Sequence, residues 1–143
     1  MTNPTHTAPD GPDGRVADAY VRNLVDDRAP AWARPYLRLS RADRPIGMWL
    51  LLLPCWTSLA LAVAASEWRL EDLWLAVAFA LGAFLMRGAG CTWNDVTDRN
   101  FDGMVERTRS RPIPAGAVTA RRAFAWGVAQ ALLAFLILIT FNE

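Results

Sequence analysis

Apolar runs separated by short polar segments dominate the chain beyond Ala31. Pro45 to Ser66 contains no charged residue, and neither does Ala123 to Asn142. Each is long enough to cross a hydrocarbon core about 30 Å thick. A further run begins at Leu73 and stays free of charge to Met86, where Arg87 interrupts it. That stretch alone is short for a crossing, and becomes a full span only if Arg87 is tolerated near one end. The pattern predicts an all-α, multi-span membrane protein with spans at about 46–66, 73–93 and 123–142. The exposed faces of three spans would need partners, so the spans are expected to be part of a larger helical bundle.

Local signals punctuate these runs. Pro54 falls inside the first span, where neighbouring helices tolerate a kink, and Thr57 and Ser58 follow as structural hydroxyls. Glu67 to Asp72 is a polar connection flanked by the interface anchors Trp68 and Trp74. Gly103 is an expected helix stop, Pro112, Pro114 and Gly116 punctuate a loop from Glu106, and Thr119 is an expected N-cap. Gln130 is expected to make an interhelical hydrogen bond. Residues 31–45 mix Trp32, Arg34, Tyr36, Arg38, Arg41 and Arg44, the composition of a segment lying at the membrane interface, with Ser40 as a helix N-cap. Residues 1–30 are rich in Pro, Asp, Thr and Gly and read as a disordered tail, with a turn of helix at 20–25. The single histidine, His6, lies in that tail and is assigned no role. No secretory signal pattern is present there.

Composition adds three points. The 143-residue chain carries a net charge of +1, which gives no reason to invoke nucleic acid. Cys55 and Cys91 fall within or beside spans, without the spacing of a disulfide framework or a soft-metal site. Arginines cluster before the first span (Arg34, Arg38, Arg41, Arg44) and between the second and third (Arg99, Arg107, Arg109, Arg111, Arg121, Arg122), whereas the first connection has only Arg69. The positive-inside rule then puts the N-terminus and the second connection in the cytoplasm.

That second connection opens with Asn94, Asp95, Asp98 and Asp102. On a helix continuing from Leu85 they fall at about 0°, 100°, 40° and 80°, all on one face. Asp98 and Asp102 form a like-charged i, i+4 pair that needs a cation to offset it. Oxygen ligands of this kind suit Mg²⁺, which binds through one or two carboxylates plus substrate phosphates. An acidic helix face is more often merely solvated. Three features shift the balance: the cluster continues an apolar helix, arginines follow at once, and Asn94 is a weak helix former with no capping reason to be there. Arg87 lies about 10 Å deeper on the same face. It either snorkels to the surface or contacts substrate, and its alignment favours the latter.

Asn94-Asp95-x-x-Asp98-x-x-x-Asp102, followed by Arg107-Thr108-x-x-Arg111-Pro112 and Gly116, resembles the first aspartate-rich motif of the UbiA family of intramembrane prenyltransferases. Asp43-Arg44-Pro45-Ile46-Gly47 and Met86-Arg87-x-x-Gly90-Cys91 resemble its 4-hydroxybenzoate branch, which serves ubiquinone synthesis. The likeness runs from about Trp32 to Glu143. It implies an integral protein of the bacterial inner (plasma) membrane, a polyprenyl diphosphate donor, Mg²⁺ and an aromatic acid acceptor.

The resemblance assigns Asn94, Asp95, Asp98 and Asp102 to Mg²⁺–diphosphate, with Asp95, Asp98 and Asp102 as the catalytic acids. Asn94 and Asp98 share one line of the helix, while Asp95 is open to pointing at a neighbouring helix instead. Arg107 and Arg111 become diphosphate or loop-ordering contacts. Arg44 and Arg87 are candidates for the acceptor carboxylate or the diphosphate, not separable at this level. Arg109 has no counterpart in the motif and is expected to be solvated.

Family members carry a second aspartate-rich motif that has no match after Asp102. The chain is therefore expected to be the N-terminal part of such an enzyme, inactive alone, with a C-terminal half or other helices as partners. The competing readings are a non-catalytic three-span membrane protein, or a family member with a naphthoate, homogentisate, haem or chlorophyll-precursor acceptor.

Overall fold

The computed structural model describes residues 23–141, and among them every regular element is helical. The order is α1 (Leu24–Arg28), α2 (Arg34–Leu39), α3 (Ile46–Ala65), α4 (Leu70–Thr97), α5 (Arg99–Asp102) and α6 (Ala120–Ile139). Three of these, α3, α4 and α6, are long and apolar enough to cross a membrane. They correspond to the three expected spans. The second extends further in both directions than 73–93, because Glu71 and Asp72 occupy the first turn of α4, where carboxylates suit the helix dipole. Asp72 Oδ2 also accepts the Arg69 N–H at 2.8 Å.

Most of the expected disordered tail lies outside the described residues, as do His6 and the first part of the turn expected at 20–25. Its last stretch is ordered: Asn23 caps α1 by accepting the Asp26 N–H, and Asp26 receives Arg38 at 2.6 Å.

Helix α4 is the centre of the bundle, packing on α6 along one side and on α3 along another. Both contacts carry polar fasteners. Trp56 Nε1 on α3 donates to the Ala76 carbonyl at 2.9 Å, and Trp74 Nε1 on α4 donates to Thr140 Oγ1 at 3.2 Å. Pro54 stays within an unbroken α3. Thr57 Oγ1 donates to the Leu53 carbonyl at 2.6 Å rather than to Leu50, whose amide partner the proline removes. Leu50, Leu61, Leu132 and Phe135 point outward, as side chains facing lipid or further helices do.

At the end of the bundle nearest the arginine-rich loop, α2 folds against α4 and α6. Leu39, Val118 and Ala123 form its small core, with Tyr36, Val96, Ile113 and Trp126 around them. Ser40 does not cap α3. It ends α2, donates to Gln130 Oε1 at 2.9 Å and accepts from Trp126 Nε1 at 2.9 Å. The reason is packing: Gly88 leaves a gap on α4 that Gln130 and Ser40 fill from two directions. Gln130 thus makes the interhelical bond expected of it. Thr119 caps α6 by accepting the Arg122 N–H. Gly103 ends α5 with an ordinary right-handed backbone.

Candidate active site

The acidic segment lies on the last turns of α4 and on α5. The backbone bends at Asp98 (φ −89°, ψ 4°), so α4 stops at Thr97 instead of running through Asp102. The hydrogen-bond ladder still bridges the bend: the Asp98 N–H reaches the Asn94 carbonyl and the Asp102 N–H reaches the Asp98 carbonyl, each at 2.8 Å. Direction is preserved, but the four polar side chains divide into two pairs.

Asp95 and Asp102 turn inward and are buried. Arg41, from the turn between α2 and α3, meets Asp95 Oδ1 at 2.8 Å. Arg111, from the loop, bridges Asp95 Oδ1 at 3.3 Å and Asp102 Oδ2 at 2.8 Å. Thr108 Oγ1 donates to the Asp102 carbonyl at 2.9 Å in the same buried region. Two carboxylates and two guanidiniums thus tie the loop, the α2–α3 turn and the end of α4 together. Asp95 Oδ2, Arg111 Nε and Thr92 Oγ1 remain buried without a hydrogen-bond partner among the described residues.

Asn94 and Asp98 face outward, one helical turn apart. Neither side chain is engaged by an arginine among the described residues. They are the oxygen donors of the segment left open to a hard cation. No group of three His, Cys, Asp or Glu side chains gathers in metal-binding geometry among the described residues.

The other arginines separate clearly. Arg44 bonds Asp43 Oδ2 at 3.1 Å, and Asp43 is buried. Arg87 is exposed and has no acid partner among the described residues. Its guanidinium lies against Gly47 on the first turn of α3, where a Cβ would overlap it. Arg107 and Arg109 are both exposed in the loop. Arg87 and Asn94 line the same groove between α4 and α6, about 480 Å³ in volume, with Gly90 and Trp93 of α4 and Phe124 and Val128 of α6. A second groove of about 550 Å³, lined by Leu51, Ala83, Met86, Ala134 and Leu138, is almost wholly apolar.

Arg41 is a member of the site that the sequence does not single out. As one arginine among several near the interface, it carries no local signal, and its partner is 54 positions away.

The model of the UbiA prenyltransferase family matches residues 51–143, and the chain belongs to that family. It is 52% identical over 131 residues to the mitochondrial 4-hydroxybenzoate polyprenyltransferase of Aedes aegypti, covering 86% of this chain and 29% of the relative. To the corresponding Bos taurus protein it is 46% identical, covering 92% and 35%. To the 4-hydroxybenzoate octaprenyltransferase of Aeromonas salmonicida (strain A449) it is 47% identical over 108 residues, covering 76% and 36%. The chain therefore spans about a third of the length of these relatives. No solved structure matches.

Proposed function

We propose that this chain supplies the diphosphate-binding end of an enzyme that transfers a polyprenyl group from polyprenyl diphosphate to 4-hydroxybenzoate, a step of ubiquinone biosynthesis. The names of the relatives support the reaction. The observation that carries it here is the open pair Asn94 and Asp98, with Arg87 lining the same groove as Asn94 and Arg107 exposed in the loop that follows. An amide and a carboxylate one turn apart are a partial donor set, which fits Mg²⁺, an ion that keeps waters and takes further ligands from substrate phosphates. When bound, Mg²⁺ would stabilise negative charge on the leaving diphosphate.

In that reaction the allylic C–O bond breaks and the electron pair leaves with the diphosphate. A ring carbon ortho to the phenol attacks the allylic cation, a C–C bond forms, and loss of the proton from that carbon restores aromaticity. Asn94 and Asp98 would hold Mg²⁺, which would supply charge to stabilise the diphosphate. Arg107 adds positive charge where negative charge develops, the arrangement from which electrostatic catalysis gains most. Asp95, Asp102, Arg41 and Arg111 fix the positions of these groups. The apolar surroundings keep water from the cation.

The distribution of arginines supports a cytoplasmic position for the N-terminus and the Asn94–Arg111 segment. The bacterial inner membrane is the location proposed. The test is Mg²⁺-dependent binding of geranyl diphosphate by the protein in lipid nanodiscs. Loss of binding in Asn94→Ala and Asp98→Ala supports the reading, and full binding by both variants overturns it.

A further inference from the structure

Thr92 Oγ1, Asp95 Oδ2 and Arg111 Nε are all buried without a hydrogen-bond partner among the described residues. They belong to one place. Arg111 Nη1 lies 3.3 Å from Asp95 Oδ1, so Nε and Oδ2 are parts of two groups already in contact. Arg41 and Arg111 both bond Oδ1, which leaves Oδ2 to something else. Thr92 precedes Asp95 by three positions, the spacing of neighbours on a helix face. Helical side chains lean towards the N-terminus, which tilts the Asp95 carboxylate over the Thr92 turn. Thr92 is 0% exposed and Asp95 1%. The Thr92 methyl faces α6, where a Cβ added at Gly127 would lie 3.5 Å from it. The hydroxyl is the other branch of that side chain. Polar groups left unpaired in this way are costly, above all at the end of a membrane span.

We propose that Thr92, Asp95 and Arg111 enclose a single buried water, and that Thr92 is through it a positioning residue for the loop that carries Arg111. The ligand follows from the donor set. A buried water typically makes about three hydrogen bonds to groups that otherwise have none. Here Arg111 Nε–H donates to the water, whose own protons go to Asp95 Oδ2 and Thr92 Oγ1. A metal ion does not fit, because Arg111 Nε presents a proton and a positive charge to the same space. An anion does not fit against Asp95 Oδ2. Thr92 also borders the groove beside Asn94, which gives water a way in. Held at Nε by the water and at Nη1 by Asp95 and Asp102, the Arg111 guanidinium is fixed from two edges, and the loop with it. This site is separate from the open pair Asn94 and Asp98, and it stands whether or not the chain binds a diphosphate.

Crystals of the full chain grown in a lipidic mesophase with Mn²⁺ test the ligand. One ordered water should lie about 2.7–3.2 Å from all three atoms, with no anomalous signal from manganese there. Manganese at that place, a direct hydrogen bond between Thr92 and Asp95, or no density between the three groups would each overturn the assignment. Hydrogen exchange on the full chain in lipid nanodiscs tests the role of Thr92. Thr92→Val keeps the shape of the side chain and its methyl against Gly127 but removes the hydroxyl. Exchange across residues 103–118 should rise about tenfold, the scale of one hydrogen bond to a charged group. Thr92→Ser keeps the hydroxyl and loses the methyl, and should exchange as the parent does. If Thr92→Ser loosens the loop, or if Thr92→Val leaves it unchanged, the positioning role is wrong. The serine variant and the crystal decide the matter alone should the valine variant fail to fold.

Discussion

Arg41 reaches Asp95 at 2.8 Å from a backbone in the left-handed region (φ 56°), a conformation that costs a non-glycine residue about 1–2 kcal/mol. The turn holds that conformation because the guanidinium has a buried carboxylate to meet, 1% exposed. The link fastens the interfacial segment to the end of α4, and Arg111 extends it to the loop. Asp95 is thus tied into the fold, while Asp98, three positions on, is exposed.

Asp95→Asn and Asp98→Asn should therefore separate stability from ligand binding. Removing the Asp95 charge leaves Arg41 and Arg111 facing a neutral amide, and breaking a buried pair from one side costs about 3–5 kcal/mol. Asp98→Asn changes an exposed group, and such changes stay within about 0.5 kcal/mol. Thermal unfolding in detergent should show a large drop for the first variant and almost none for the second. Mg²⁺-dependent diphosphate binding should be lost in the second even though it is fully folded. Equal melting temperatures for the two would contradict the division of the acidic segment into inward and outward pairs.

Arg41→Gly tests the turn itself. Glycine removes the backbone cost of the left-handed conformation, which alone would stabilise. Loss of the buried pair outweighs that gain, so the net change should be a loss of about 1–4 kcal/mol. A variant as stable as the parent would mean that the ion pair adds nothing beyond the strain it offsets.

The spans and the acidic site are unequally visible in the sequence. The spans are legible because a charge-free run of bilayer length rarely occurs outside a membrane, and Gln130 is legible because an isolated amide in such a run needs a partner. Asn94 and Asp98 follow from helical periodicity. Asp95 and Asp102, at about 100° and 80°, already stand apart from them on the helix, but the partners on that side are hidden. They are Arg41 and an arginine of a proline-rich loop, and no periodicity connects positions 54 apart. The place of Ser40 is hidden for a related reason. Its position before an apolar run suggests a cap, yet its hydroxyl is claimed by Trp126 and Gln130 from a distant helix.

Among the loop arginines, Arg107 and Arg111 should behave differently. Arg111 bridges Asp95 and Asp102, so Arg111→Ala should loosen the loop and increase hydrogen exchange across residues 103–118. Arg107→Ala should leave exchange unchanged and weaken diphosphate binding, the more so at low salt, where exposed charge is least screened. Identical exchange profiles in the two variants would remove the loop-ordering role of Arg111.

The close packing around Gly88 gives a prediction about helix association. A Cβ at Gly88 would overlap Gln130 Oε1 and press on Ser40 Cβ at 3.0 Å. Gly88→Ala should destabilise the protein by about 1–3 kcal/mol, the range for overpacking. Gln130→Ala opens space there but removes one of two acceptors of the Ser40 hydroxyl, the other being the Tyr36 carbonyl at 3.1 Å, and an interhelical hydrogen bond of this kind is worth about 0.6 to 2 kcal/mol. The two changes share one space, so they should not add. The double variant should be more stable than the sum of the single losses by about 0.5 kcal/mol or more, because the alanine methyl occupies part of the volume left by the amide. Strict additivity in unfolding experiments would show that Gly88 and Gln130 do not compete for that space, and that the close approach of α6 to α4 has another origin.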